Sequence, residues 1–144
     1  MTRVKQISVF LENKSGRLAE VTRTLADHQI NIRALSIAET IDYGVLRLIV
    51  NDPAQAKQAL AEGGFTVTET EVLVVEIPDR PGGLANAIER LAARGLNVEY
   101  AYAFVTHSGE SANVVFRLEQ IEEAARILAN AGIRVLSGDE VYRL

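Results

Sequence analysis

The 144-residue chain has no cysteine, which excludes disulfides, thiolate nucleophiles and cysteine-based zinc sites. It has no tryptophan and only four phenylalanines and four tyrosines, so any core must be built from Val, Leu, Ile and Ala. Histidine occurs twice, as His28 and His107, far apart in sequence. Two lone imidazoles among scattered carboxylates, with Asp42, Asp52 and Asp139 in turn-like stretches, give no metal-ligand spacing. No apolar run approaches the roughly 18–20 residues that a membrane span needs. Met1-Thr2-Arg3-Val4-Lys5 leads straight into a strand-like pattern, without the apolar region of a signal peptide. The expectation is a cytoplasmic protein with no membrane partner. Basic residues are too few for nucleic acid: net charge is −4, and neutralising phosphates requires a basic face.

What is present is an ordinary globular mixture, 48% hydrophobic and 24% charged. The length suits one domain or two very small ones. An internal repeat decides between them. Leu11-Glu12-Asn13-Lys14-Ser15-Gly16-Arg17-Leu18-Ala19 reappears as Ile77-Pro78-Asp79-Arg80-Pro81-Gly82-Gly83-Leu84-Ala85, an offset of 66. The same offset relates Leu25-Ala26 to Leu91-Ala92, and Ile30-Asn31-Ile32 to Leu96-Asn97-Val98. Further on the offset is 68, as Leu46-Arg47-Leu48 matches Val114-Val115-Phe116 and Gly64-Phe65-Thr66-Val67 matches Gly132-Ile133-Arg134-Val135. Repeat two thus carries two extra residues near Thr106-His107-Ser108-Gly109. The expected domains are residues 1–70 and 71–144, with no Pro, Gly or Ser cluster between them.

Each half reads strand, helix, strand, strand, helix, strand. Residues 6–11 alternate and are β-branched. Leu18, Val21, Thr22 and Leu25 keep helical spacing, as do Leu84, Ala87, Ile88 and Leu91. Residues 31–39 and 44–50 are strand candidates around a turn. Pro53 suits a first helical turn, Ala56, Ala59 and Leu60 form an apolar stripe, and Gly63-Gly64 ends it. Strands alternating with helices predict an antiparallel sheet covered by helices on one face. The order βαββαβ is the ferredoxin-like arrangement, here twice in tandem, in the α+β class.

The strongest local signal is the segment from Glu12 to Leu18 with its copy from Pro78 to Leu84, each leading from a strand end into a helix start. Free N–H groups and the helix dipole favour an anion there. A free α-amino acid could offer its carboxylate to the helix start and its ammonium to the oxygens of Asn13 or Asp79. Asn31 and Asn97 open the strand after each helix, although Asn is a poor strand former. The same residues also serve as ordinary turn and cap residues. Arg17, Arg80 and Lys14 flank the loops, either steering a carboxylate or standing as solvated surface charge. Tyr100, Tyr102 and Phe104 share one strand face, as core or as an interdomain wall. His28, near the end of the first helix, suits a capping role. Gly82-Gly83 lacks the spacing of phosphate and dinucleotide loops.

The pattern strand–(Asn/Asp)-x-(Pro/Ser)-Gly-x-Leu-Ala–helix–(Leu/Ile)-Asn-(Ile/Val) resembles the ACT domain, a small βαββαβ regulatory module. Both halves carry it, and the whole is most similar to standalone tandem-ACT proteins of bacteria. The first copy also resembles the opening of acetolactate synthase regulatory subunits. The resemblance implies amino-acid binding at interfaces between paired domains, with no cofactor, no metal and no catalysis. Carried over by motif, the ligand residues are Asn13 and Asn31 in repeat one and Asp79 and Asn97 in repeat two. Backbone at Ser15, Gly16, Arg17 and Leu18, and at Pro81, Gly82, Gly83 and Leu84, completes the two sites. The resemblance further implies a homodimer. Serine-binding members have His where this chain has Leu11 and Ile77, which points to a more apolar ligand. Asp79 in place of Asn makes unequal sites the expectation. Three functions follow: a free-standing amino-acid sensor, the regulatory subunit of a partner biosynthetic enzyme such as acetolactate synthase, or a small ferredoxin-like enzyme. No nucleophile–base pair supports the third.

Overall fold

The protein, described here by a computed structural model, is defined over residues 3–104 and 109–144. Thr106, His107 and Ser108, where the extra residues of repeat two were expected, lie outside the described residues. The chain divides into two compact units. The N-terminal unit comprises Lys5–Thr70 with Tyr142–Leu144; the C-terminal unit comprises Glu71–Val141 with the initial residues through Val4.

In the N-terminal unit the elements are β1 (Val4–Glu12), α1 (Arg17–Asp27), β2 (Ile32–Glu39), β3 (Tyr43–Val50) and α2 (Pro53–Glu62). The strand β4 (Thr66–Pro78) begins there and runs on into the C-terminal unit. Strand order is β2-β3-β1-β4. β3 pairs antiparallel with both β1 and β2, so Ile7 faces Leu48 and Val9 faces Leu46. Period-two alternation sends Ile7, Val9, Leu11, Leu46, Leu48 and Val50 to the helix side, where they meet Val21, Leu25, Ala56 and Leu60. Each such buried aliphatic side chain stabilises the unit by roughly 1.5–3 kcal/mol against exposure. α2 starts as its sequence implies: Pro53 holds the first position, and the Asp52 carboxylate accepts the Gln55 N–H at 3.1 Å. His28 closes α1, its Nδ1 lying 2.9 Å from the Thr24 carbonyl oxygen.

The C-terminal unit repeats the plan. It continues β4 and adds α3 (Gly83–Ala92), β5 (Tyr100–Ala103), β6 (Ser111–Arg117), α4 (Ile121–Asn130), β7 (Arg134–Leu136) and α5 (Gly138–Tyr142). β4 pairs antiparallel with β6 and β7, and β6 with β5, giving the order β7-β4-β6-β5. That is the N-terminal order again, one repeat later. Leu73, Val75, Ile77, Val114 and Phe116 point to the helix side and pack on Ala87, Leu91, Ala124 and Leu128. Tyr102 is opposite Val115, which lies between Val114 and Phe116 and so points the other way. Tyr100 and Tyr102 are therefore half-buried on the helix-free face, with ring centroids 6.5 Å apart, and lie outside the helix-packed core.

Two features depart from the sequence reading. Leu18 and Leu84 keep helical spacing yet are each 41% exposed, and the buried stripes are Val21–Leu25 and Ala87–Leu91. The chain also ends in an unforeseen helix, α5, with Asp139 in its first turn and not in an open turn. Its signal was present as Ser137-Gly138-Asp139-Glu140. The Ser137 hydroxyl accepts the Glu140 N–H at 3.2 Å while the Glu140 carboxylate accepts the Ser137 N–H at 3.0 Å. This reciprocal capping box stabilises so short a helix.

Candidate functional site

The two repeated loops are built by glycine. Gly16 precedes α1 with φ of 91° and Gly82 precedes α3 with φ of 87°, a left-handed conformation that side chains resist. Neither helix start is capped by a side chain. Asn13 and Asp79 are thus not N-caps. The Asn13 N–H donates to the Asp42 carbonyl at 2.8 Å, and the Asp79 N–H donates to the Glu110 carbonyl at 2.8 Å, so each loop is fastened to the following hairpin in the same way. The Asn13 amide also donates to the carbonyls of Thr40 and Ile41, at 3.3 and 3.1 Å. A carboxylate has no proton to donate, so Asp79 cannot reproduce those two bonds.

Asn31 and Asn97 are not brought to these loops within a unit. Glu12 is level with Tyr43 while Ile32 is level with Val50, so Asn13 and Asn31 stand at opposite ends of the N-terminal sheet. The registers of Pro78 with Ser111 and Tyr100 with Arg117 separate Asp79 from Asn97 in the same manner. Asn31 is engaged locally, where its N–H donates to the Asn51 side-chain oxygen at 2.9 Å and its carbonyl accepts the Asn51 N–H at 3.2 Å.

The second position of each helix start separates the repeats. A Cβ on Gly83 would lie 2.1 Å from the Pro78 carbonyl oxygen, so only glycine fits. The equivalent residue in repeat one is Arg17, whose guanidinium bridges the carboxylates of Glu12 at 2.9 Å and Glu20 at 3.0 Å. The Glu12 carboxyl is held below the usual carboxylate range, first by Lys14 and then by Arg17.

A trough runs beside each loop. In the C-terminal unit it measures about 970 Å³ and is lined by Ile77, Pro78, Asp79, Arg80, Asn86, Glu110, Ser111, Gly132 and Arg134, among others. Arg134 donates to Glu76 at 3.1 Å and is also paired with Glu140. The N-terminal unit has two smaller hollows instead. One of about 240 Å³ is lined by Leu11, Arg17, Gly64 and Phe65; the other, about 330 Å³, by Asn13, Lys14, Ile41 and Asp42. Glu12 and Tyr43 line both. Leu11 and Ile77 belong mostly to the cores, at 6% and 5% exposure. Sequence reasoning did not single out Tyr43, Ser111, Gly132 or Arg134, although the repeat pairs Tyr43 with Ser111. Among the described residues no group of three His, Asp or Glu side chains could hold a metal ion. No helix among them is long and apolar enough to cross a membrane.

A family model described as an ACT domain pair matches residues 1–144. Among curated proteins none matches. The solved structure of protein BT0572 from Bacteroides thetaiotaomicron is 41% identical, with a TM-score of 0.93 over 99% of this chain and 98% of that one. The regulatory subunit of aspartate kinase from Thermus thermophilus, in its ligand-free form, is 19% identical, with a TM-score of 0.65 over 88% and 91% of the two chains. The corresponding subunit from Thermus flavus is 22% identical, with a TM-score of 0.61 over 92% and 94%.

Proposed function

Because this chain belongs to the ACT domain pair family, we propose that it is a cytoplasmic regulatory protein that binds a free amino acid and passes on a conformational signal. The observation that carries the reading is the pair of helix starts turned by Gly16 and Gly82, left without side-chain caps beside a hollow. Such a start offers N–H groups and a positive dipole end to a carboxylate. Asn13 and Asp79 stand within the same loops to receive an ammonium group. Backbone at Ser15, Arg17, Leu18, Pro81, Gly83 and Leu84 completes the binding loops. Asn31 and Asn97 stand at the opposite sheet end of their own unit and do not reach a ligand held at that unit's loop. Occupancy shifts an equilibrium of arrangements by the ligand's differential affinity for them.

A thermal-shift screen with the twenty amino acids tests this. Ligand at a hundred times its Kd adds about 2.7 kcal/mol to apparent stability, so a binder raises Tm measurably. A flat response to all twenty would reject the reading. The alternative, a regulatory subunit acting on an amino-acid biosynthetic enzyme such as acetolactate synthase, shares this ligand chemistry. Co-purification from native extract with or without the binder separates the two.

A further inference from the structure

We infer that each chain has one working ligand site, in the trough of the C-terminal unit, and that its N-terminal counterpart is closed by the protein's own side chains. The inference rests on the amino-acid-binding reading and goes beyond it in saying which copy binds and what shuts the other.

The repeat aligns the two troughs residue for residue. Leu11, Gly64 and Phe65 on one side correspond to Ile77, Gly132 and Ile133 on the other. Three of the differences between them bear on the closure. Where the C-terminal unit has Ser111, the N-terminal unit has Tyr43; where it has Pro78, the other has Glu12; and where it has Gly83, the other has Arg17. Glu12 and Tyr43 stand between the two N-terminal hollows, lining both, and so divide what is a single trough in the other unit. The Arg17 guanidinium is clamped at both ends by Glu12 and Glu20, and its Nε is buried without a partner. The two ion pairs place the Arg17 side chain across the N-terminal hollow. The resulting hollows, about 240 and 330 Å³, compare with about 970 Å³ in the C-terminal unit.

The open trough cannot acquire a counterpart of Arg17. Gly83 admits no side chain, because Pro78 occupies the space a Cβ would need. Its lining mixes the carboxylates of Asp79 and Glu110 with the guanidiniums of Arg80 and Arg134. A zwitterion, with an ammonium and a carboxylate a few ångströms apart, matches such a lining better than a singly charged molecule does.

Equilibrium dialysis against an equimolar mixture of the twenty amino acids, with the bound fraction identified and counted by chromatography, tests the inference. Wild-type protein is expected to hold one amino acid per chain. Ser111→Tyr, which copies the N-terminal closure, is expected to hold none, as is Asn86→Trp on the exposed start of α3. Tyr43→Ser combined with Arg17→Ala is expected to hold two. Circular dichroism and thermal melting confirm that each variant is folded. Two amino acids per wild-type chain, retention by both folded closing variants, or one per chain in the opened variant would each overturn the inference. No binding by either wild type or the opened variant would instead overturn the amino-acid reading itself.

Discussion

Three loop positions obey different physics although they look alike in sequence. Gly16 and Gly82 are required by backbone angle alone: a Cβ at either meets nothing within 4 Å, but φ lies near +90°. Gly83 has an ordinary φ and is required by space, its Cβ position lying 2.1 Å from a backbone oxygen. Gly16→Ala is expected to destabilise by about 1–2 kcal/mol, the strain of a left-handed residue. Gly83→Ala must displace backbone and is expected to lose roughly 3 kcal/mol or more. Urea denaturation of both variants checks the order; an equal loss would show that the start of α3 yields easily. Asn13 and Asp79 diverge just as sharply, for a reason visible in their chemistry: only the amide can tie its loop to the carbonyls of Thr40 and Ile41. The motif was legible at this scale. The hairpin carbonyls that Asn13 reaches, 27 and 28 residues away, were not, because local sequence does not say which turn folds back beside a loop.

At the level of elements, helices and strands follow their periodicity closely, and the exceptions have local causes. β5 has four residues where β2 has eight, so among the described residues the outer strand of the C-terminal unit is the shorter. α5 escaped notice because five residues are too few to show an apolar period, although its capping box was written in the chain. That box makes the helix acid-sensitive. The Glu140 carboxyl is held below the usual carboxylate range, chiefly by the Ser137 N–H and then by Arg134. A lowered folded pKa means the folded state prefers the ionised form. The contribution is therefore complete above the unfolded-state value, about 4.3, and is lost as pH falls through the lower folded value. The protection factors of the α5 amides, corrected for the intrinsic exchange rate at each pH, are expected to fall below pH ~4, before those of the sheet amides. Glu140→Gln should remove that pH dependence; an unchanged profile would place the acid sensitivity elsewhere.

For the whole molecule, the long edge of the N-terminal unit carries the argument for self-association. β2 pairs only with β3 among the described strands, and its Leu35 and Ile37 are 40% and 46% exposed. An open apolar strand edge invites pairing, and a second copy meeting it across a two-fold axis would cover both. Sedimentation velocity is expected to show a dimer that Leu35→Lys with Ile37→Lys converts to a monomer. A monomeric wild type would remove this argument. The amino-acid sequence by itself determined the repeat, the βαββαβ order, the glycine-turned loops and the absence of sulfur chemistry at cysteine, because these depend on composition, on periodicity and on torsion angles of neighbouring residues. The tertiary structure alone decided that Asn31 lies at the far end of the sheet from Asn13, since that follows from strand register. It also decided that one trough is open and its twin divided. Such volumes are set by side chains distant in sequence, Tyr43 against Arg17 and Ser111 against Ile133, which share a space only after the sheet has aligned them.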